Sequence, residues 1–380
     1  MSTELQAFRD ALRQFVTREI APQVNAWDEA GTFPRELYAR AAGMGLLGIG
    51  YPEELGGLGV TPQDARLRWI ATEEIARAGS GGLMASLFSH NIALPPLLAQ
   101  ADADLQRRVL PDVLSGSKIA ALAITEPSGG SDVARLRTTA RLAGSDYIVN
   151  GEKVFITSGM RADWLTVAVR TGGPGAGGIS LLAIPGDTPG LTRSPLQKMG
   201  WWASDTALLH FNDCRVPAAH LIGAENSGFR AIMENFNGER LMLAVGANAF
   251  AQVCLDEALD WARQRQTFGQ PLIQHQVIRH KLMDMRMRVQ TTRAWIDALI
   301  AQQEAGLTTP EWVADLCLLK NQATQTMQHC ADQAVQILGG MGFMRGCKSE
   351  RIYREVKVMM IGGGAEEIMK ELAARQLGQC

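Results

Sequence analysis

The 380-residue chain contains no CxxC pair, no HExxH motif and no glycine run ending in GK[ST]. Each absence removes a class of chemistry. The six cysteines (Cys214, Cys254, Cys317, Cys330, Cys347 and Cys380) are scattered, and with no export signal in view they read as reduced thiols. Of the six histidines, His275 and His280 are five apart, which puts them on different helix faces, so no metal centre is expected. Charged residues are only 20% of the chain, and 37 Lys+Arg against 39 Asp+Glu leave a net charge of −2, so no nucleic-acid partner is expected. No stretch approaches the ~20 uninterrupted apolar residues of a membrane helix. The opening MSTELQAFRDALRQF carries acids and polar residues where a secretory apolar segment would lie, so we expect no signal peptide and a cytoplasmic location.

What the chain does have is a large apolar share, 46%, enough for a sizeable core spread over several domains. The first ~120 residues read as helical, with apolar residues spaced by three and four in 3–20 and 66–78 and breaks at YPEELGGLG and LPPL. From Ala120 the pattern becomes that of strands: WLTVAVR, ISLLAIP and TALLHFNDCRV, with Asn150-Gly151 reading as a hairpin turn between two alternating runs. After Gly228 helices return. Ile278, Leu282, Met285, Val289, Thr292, Ile296 and Leu299 form one seam, and 241–260 is apolar on nearly every face, as a helix at the centre of a bundle should be. The expectation is an α+β protein: an N-terminal helical domain (1–119), a middle β domain (120–224) resembling a barrel, and a C-terminal helical bundle (225–380).

Several segments suggest ligand contact, each with a plainer reading beside it. The glycine run 172–178 in TGGPGAGG lies between strands and reads as a hairpin loop; no GxGxxG in the chain has the strand before and helix after that a dinucleotide site needs. AITEPSGGSD (123–132) is a turn whose N–H groups and hydroxyls suit a flat heterocycle or a phosphate, though it also reads as a plain Asp/Ser turn. FITS (155–158) adds an aromatic face. RQRQTFGQPL (263–272) ends a helix with Arg263 and Arg265 and turns at Gly269-Gln270-Pro271; its arginines suit the helix dipole or a pyrophosphate. QILGGMGF stops a helix at two glycines, and IGGGAEEI is a short glycine coil. Glu239-Arg240, after NFNG, heads the most apolar helix, where a carboxylate is costly unless it has a partner or a task.

Taken in order, YPEELGGLG, AITEPSGGSD, VNGEKVFITSG, KMGWWASDT, FNDCRVP, RQTFGQPLIQHQ, QILGGMGF and GGGAEEIMKELAAR resemble the acyl-CoA dehydrogenase family over essentially the whole chain. The resemblance implies an α–β–α fold with noncovalent FAD, oxidation of an acyl-CoA to its trans-2-enoyl-CoA in fatty-acid β-oxidation, electron transfer to an electron-transfer flavoprotein, and a homotetramer with FAD bridging two subunits. By resemblance, Leu122, Ala123, Ile124, Thr125 and Ser131 line the flavin, and Phe155, Ile156 and Thr157 cover its other face. Arg265, Thr267, Phe268, His275, Gln276, Gln336, Gly339 and Gly340 hold the rest of the FAD from the partner subunit, and Ala365 and Glu367 complete the cofactor set. Asn237, Arg240, Gly363, Gly364 and Ser131 match acyl-CoA contacts, with Leu94 and Leu98 at the pocket floor.

Many members of the family carry the catalytic base in a Glu-Gly-Thr sequence on the tail loop, where this chain has Gly363, Gly364 and Ala365. A minority branch, including isovaleryl-CoA and long-chain acyl-CoA dehydrogenases, places the glutamate just before the core-helix arginine, which here is Glu239. The resemblance therefore implies Glu239 as the base that takes the α-proton while hydride leaves the β-carbon for flavin N5, on a branched or medium- to long-chain acyl group. The N–H at position 363 would bind the thioester oxygen. Ala365 lacks a hydroxyl usual near the FAD phosphates, Ser128 stands for a common Gly and Phe155 for a common Trp, and Trp201-Trp202 are bulky. Two other readings remain: an oxygen-using oxidase or monooxygenase of the same fold, which oxygen uptake separates, and a non-catalytic flavoprotein relative that binds DNA or a protein. The second expects a basic patch and leaves Glu239 unexplained.

Overall fold

The computed structural model describes residues 3–61 and 64–379. Cys380 lies outside the described residues; the other five cysteines are free thiols, four of them buried. Helices open the chain: α1 (Thr3–Phe15), α2 (Val24–Ala30), α3 (Glu36–Gly43), α4 (Asp64–Ala76), α5 (Gly81–Leu87), α6 (His90–Ala93), α7 (Pro95–Gln100) and α8 (Ala103–Leu114). Asp102 Oδ1 accepts the Leu105 N–H at 2.8 Å and starts α8, the job of a short acidic N-cap.

Strands follow: β1 (Ala120–Ala123), β2 (Thr139–Ala143), β3 (Asp146–Ile156), β4 (Trp164–Arg170), β5 (Ile179–Pro185), β6 (Leu191–Pro195), β7 (Ala207–Pro217) and β8 (Leu221–Ile222). The sheet order is β6-β7-β3-β2-β4-β5-β8, with β1 paired parallel to β4. β4 and β5 are buried on both faces, which is why they read as continuous apolar runs. Leu165, Val167, Val169, Leu182 and Ile184 fill the interior of the β domain. Trp164, Ala168, Leu181 and Ala183, on the alternate positions, pack on Leu97, Val109, Leu110 and Ile232 of the helices. This second core welds the sheet to its helical neighbours, each buried large side chain contributing about 1.5–3 kcal/mol.

Asn150-Gly151 is not a turn. β3 runs straight through it, and the hairpin to β2 closes at Gly144-Ser145, with Gly144 at φ +68°. Gly151 instead marks a register shift against β7, and a Cβ there would come within 2.6 Å of Thr138 Oγ1. Asn150 spends its amide on Asp213, donating to Oδ1 and accepting the Asp213 N–H, both at 2.9 Å. Close backbone packing, which local patterning does not report, decides the role of this glycine.

The bundle comprises α9 (Gly228–Gln264), α10 (Gln276–Glu304), α11 (Pro310–Leu338), α12 (Lys348–Ile361) and α13 (Glu366–Gln376). A two-stranded ribbon, β9 (Gln266–Thr267) and β10 (Gln270–Pro271), joins α9 to α10. α9 is the central helix: Ala244, Val245, Gly246, Ala247, Phe250 and Ala251 are all buried, and the alanines and glycine among them let neighbouring helices approach. By length and composition alone α9 could cross a membrane, but 72% of its most apolar window is buried within the protein. The α10 seam forms as the spacing predicts, with Leu282, Met285, Val289, Thr292, Ile296 and Leu299 buried and Ile278 packed at its edge.

Candidate active site

α9 begins at Gly228, so NFNG is helical and Glu239 lies about three turns inside the helix rather than at its head. Opposite it runs the four-residue coil between α12 and α13, in which Gly363 and Gly364 hold φ of +67° and +116°. These are conformations that glycine adopts without strain. The point at which a Cβ on Gly363 would sit is 3.8 Å from Glu239 Oε1 and 2.5 Å from Leu243 Cδ1. Helix and coil therefore address one space. A carboxylate reaches it from α9, and the Leu243 side chain, one turn further along, occupies the place that a side chain on Gly363 would take.

Arg240 is buried beside Glu239 but does not spend its hydrogen bonds on it. Its Nε donates to the Gly363 carbonyl at 3.1 Å, one Nη donates to Asn237 Oδ1 at 3.2 Å, and the guanidinium lies 5.6 Å from the Phe236 ring centroid. Glu239, Asn237, Arg240, Gly363 and Gly364 thus come together where α9 meets the coil. Burial pushes the Glu239 carboxyl up to about 7, against the opposing pull of Arg240 and Lys320. A carboxylate held there is a stronger base than a free one and still ionises near neutrality.

Sequence reasoning missed Lys320. It is fully buried on α11, and its Nζ donates to the carbonyls of Met360 (3.0 Å) and Gly364 (2.7 Å). The signal was available: Lys320 follows Leu316 by four on the buried stripe of α11, where a cation needs partners. Ala365 and Glu367 begin α13. Ala365 offers no side-chain cap, and Glu367 is exposed on the first turn.

A second cluster forms at the edge of the β domain. Leu122, Ala123, Ile124 and Thr125 leave β1 and enter a turn closed by the Gly129 N–H on the Glu126 carbonyl at 3.0 Å, with Ser131 exposed just beyond. Beside them, Phe155 (φ +62°) and Ser158 (φ +60°) bracket Ile156 and Thr157. Phe155 is 68% exposed, so this aromatic face is unfilled within the chain. The Val154 N–H donates to the Thr125 carbonyl at 2.9 Å and ties the two segments together.

The pair beneath them also went unnoticed. Lys153, fully buried, donates to the Ile124 carbonyl (2.8 Å) and to Glu126 Oε1 (2.9 Å), while Glu126 accepts the N–H groups of Arg137 and Thr138 at 2.6 and 2.8 Å. Burial works against the Glu126 anion, but Lys153 and the Thr138 contacts hold its carboxyl below the usual range. Trp201 and Trp202 join the β domain to α12. Trp202 lies between Arg345 and Arg354, 4.1 and 3.9 Å from its ring centroid, and Trp201 lies against Gly81 and Gly82.

Arg265, Thr267, Phe268, His275 and Gln276 gather at the far end of α9. The turn there is Phe268-Gly269, at φ +52° and +81°, rather than Gly269-Gln270-Pro271. Thr267 Oγ1 bonds His275 Nε2 at 2.9 Å, and Phe268 is 98% exposed. Gln336, Gly339 and Gly340 are exposed at the end of α11. Twenty-five residues of helix separate Glu239 from Gln264, roughly 38 Å at 1.5 Å per residue. One chain therefore does not bring these residues to Glu239. Leu94 is fully buried against the sheet, whereas Leu98 beside it is partly open.

Comparison with known proteins identifies the family. The N-terminal, middle and C-terminal domains of acyl-CoA dehydrogenase match residues 2–117, 121–214 and 226–378. The mitochondrial long-chain specific acyl-CoA dehydrogenase of Rattus norvegicus is 36% identical over 380 residues, covering 99% of this chain and 87% of that protein. A structure ascribed to an acyl-CoA dehydrogenase of Mycobacterium smegmatis is 46% identical with a TM-score of 0.96, covering 100% and 99% of the two chains. The acyl-CoA dehydrogenase of Geobacillus kaustophilus is 34% identical with a TM-score of 0.94, covering 99% and 98%. With every domain matched and the three-layer order of helix, sheet and bundle in place, the chain belongs to the acyl-CoA dehydrogenase family, whose members are FAD-dependent oxidoreductases of acyl-CoA.

Proposed function

We propose that this protein removes the α-proton of an acyl-CoA thioester with Glu239 and yields the trans-2-enoyl-CoA, acting on a branched or medium- to long-chain acyl group. The observation that carries this reading is the Glu239 carboxylate facing Gly363, across a space to which the coil, at positive φ, brings no acid of its own. No other carboxylate is supplied by the coil itself, whose residues 362–365 are Gly-Gly-Gly-Ala.

The residues present fit FAD. Side chains added at Gly129, Gly339 or Gly340 would meet nothing within 4 Å, so the backbone there is open to approach, and Phe155 and Phe268 offer uncovered rings. Thr125, Ser131 and Thr157 would hold the flavin part. Because of the length of α9, Arg265, Phe268, Gln336 and Gly340 would hold the remainder from a second subunit, which supports cofactor sites shared between pairs of subunits in the proposed homotetramer. FAD held there would supply the acceptor for the β-hydrogen, and the partner proposed to take its electrons is an electron-transfer flavoprotein.

The protein's own residues do the rest. The rise in the Glu239 carboxyl narrows its gap to a weakly acidic C–H, and the N–H of Gly363, a residue whose carbonyl Arg240 holds, would stabilise a developing enolate oxygen. The test is to mix the FAD-loaded protein anaerobically with isovaleryl-, octanoyl- and palmitoyl-CoA and follow flavin absorbance. Rapid bleaching by one of them, with the enoyl-CoA recovered as product, is the expected result. Retained FAD with no bleaching by any thioester would count against the proposal.

A further inference from the structure

We infer that Lys320 is a positioning residue for this reaction: from α11 it clamps the glycine coil against Glu239. The inference rests on the reading of Glu239 as base. Two carbonyls converge on the Lys320 ammonium, that of Met360 at the end of α12 and that of Gly364 within the coil. Arg240 holds the carbonyl of Gly363. The two successive peptide planes that follow the Gly363 α-carbon are thus each tied to a buried cation, one from α9 and one from α11. Below them, Asn321 Nδ2 donates to the Glu366 carbonyl at 2.9 Å and Gln325 Nε2 to Glu366 Oε1 at 2.8 Å, so α11 carries a ladder of contacts that fixes where the coil enters α13.

The anchoring matters because the coil cannot hold itself. Three consecutive glycines have the largest conformational freedom to lose, and Gly363 and Gly364 sit at positive φ. The N–H of Gly363 lies in the peptide plane before the two tied ones and is steadied by them only through the Gly363 α-carbon. A donor there is useful to a developing oxyanion only if its direction is fixed before the reaction. The charged and titratable groups around Glu239 and Lys320 are Arg240 on α9, Cys317 on α11 and Glu366 on α13. Burial and Arg240 lower the Lys320 ammonium to about 8, while Glu239 and Glu366 oppose them, so it remains protonated at neutral pH. Its charge favours ionised Glu239, the form that acts as a base.

The test is anaerobic flavin reduction against pH in the FAD-loaded wild type, K320M, K320Q and K320R, with E239Q alongside, using whichever of isovaleryl-, octanoyl- or palmitoyl-CoA bleaches the wild type. In K320M and K320Q the rise of rate with pH moves to higher pH, with a loss of roughly tenfold on its acid side. K320M also loses roughly tenfold or more at high pH, since the coil is freed. K320R, keeping charge and donors, restores the wild-type profile. A purely structural role would change FAD content or the thermal midpoint and leave the pH profile alone. If K320M does not fold, K320Q decides, because it removes the charge while keeping a donor. A wild-type rate at high pH in K320M, or an unshifted profile in the neutral variants, overturns the inference. If E239Q bleaches at the wild-type rate, it is instead the assignment of the base that fails, so the two failures are distinguishable.

Discussion

The Glu239 carboxylate lies 3.8 Å from the point at which a side chain on Gly363 would begin, so helix α9 and the glycine coil offer two entrances to one site. Only the helix entrance carries an acid. E239Q is expected to retain FAD and to bind acyl-CoA while losing flavin reduction by roughly 10²–10⁴-fold, the range for removal of a general base. Stopped-flow absorbance of the flavin measures it, and a variant that bleaches at the normal rate removes Glu239 from the mechanism.

The same carboxyl imposes a pH-dependent cost on folding. Its native value of about 7 lies above the ordinary 4.5, so between these limits the folded protein keeps a proton that the unfolded chain has released. Its contribution is complete below about 4.5 and is lost as pH rises through about 7. E239Q should therefore exceed the wild type in stability at pH 8, by up to about 3 kcal/mol, and match it near pH 4. Residual solvent contact of Glu239 makes this figure an upper limit. Denaturant melts at the two pH values check it.

Restoring an acid on the coil should not rescue the reaction. A Cβ at position 363 lies only 2.5 Å from Leu243 Cδ1, and the backbone φ of +67° disfavours any side chain. The double variant E239Q/G363E is expected to remain inactive and less stable than E239Q. Adding L243A makes room, so recovery of bleaching in the triple variant alone would show Leu243 to be the obstacle.

Lys153 supports the loop of residues 122–131 without reaching its surface. Lys153→Met leaves Glu126 buried without its cation, a change that costs about 3–5 kcal/mol in comparable pairs. The expected outcome is a lower thermal midpoint together with faster FAD loss, read by fluorescence of the released flavin. Unchanged retention would detach this pair from the cofactor site.

Arg265 offers a contrast, being exposed and roughly 38 Å along α9 from Glu239. Arg265→Ala is expected to weaken FAD retention while leaving the folding stability of the apo-protein within about 0.5 kcal/mol, as for ordinary surface positions. Equal retention by wild type and variant would argue against a clasp from a second subunit.

By itself the sequence determined the order of helices, strands and helices, the α10 seam, the family, and the presence of an acid on α9 with none on the coil. These are legible because they depend on local periodicity and on residue identity at motif positions. Tertiary structure decided the rest. Gly151 became a bulge because Thr138 passes too close for a side chain, and Leu94 vanished into the core because the sheet covers it. Lys153 and Lys320 read locally as ordinary charges, yet each is buried against carbonyls from distant segments, Ile124 for the first and Met360 and Gly364 for the second. A buried charge is tolerated only where such partners converge, and convergence is a property of packing rather than of neighbouring residues. The meeting of Glu239 with Gly363, more than a hundred residues apart, has the same origin: α9 is central to the bundle, and the coil is tied across it by cations on two different helices.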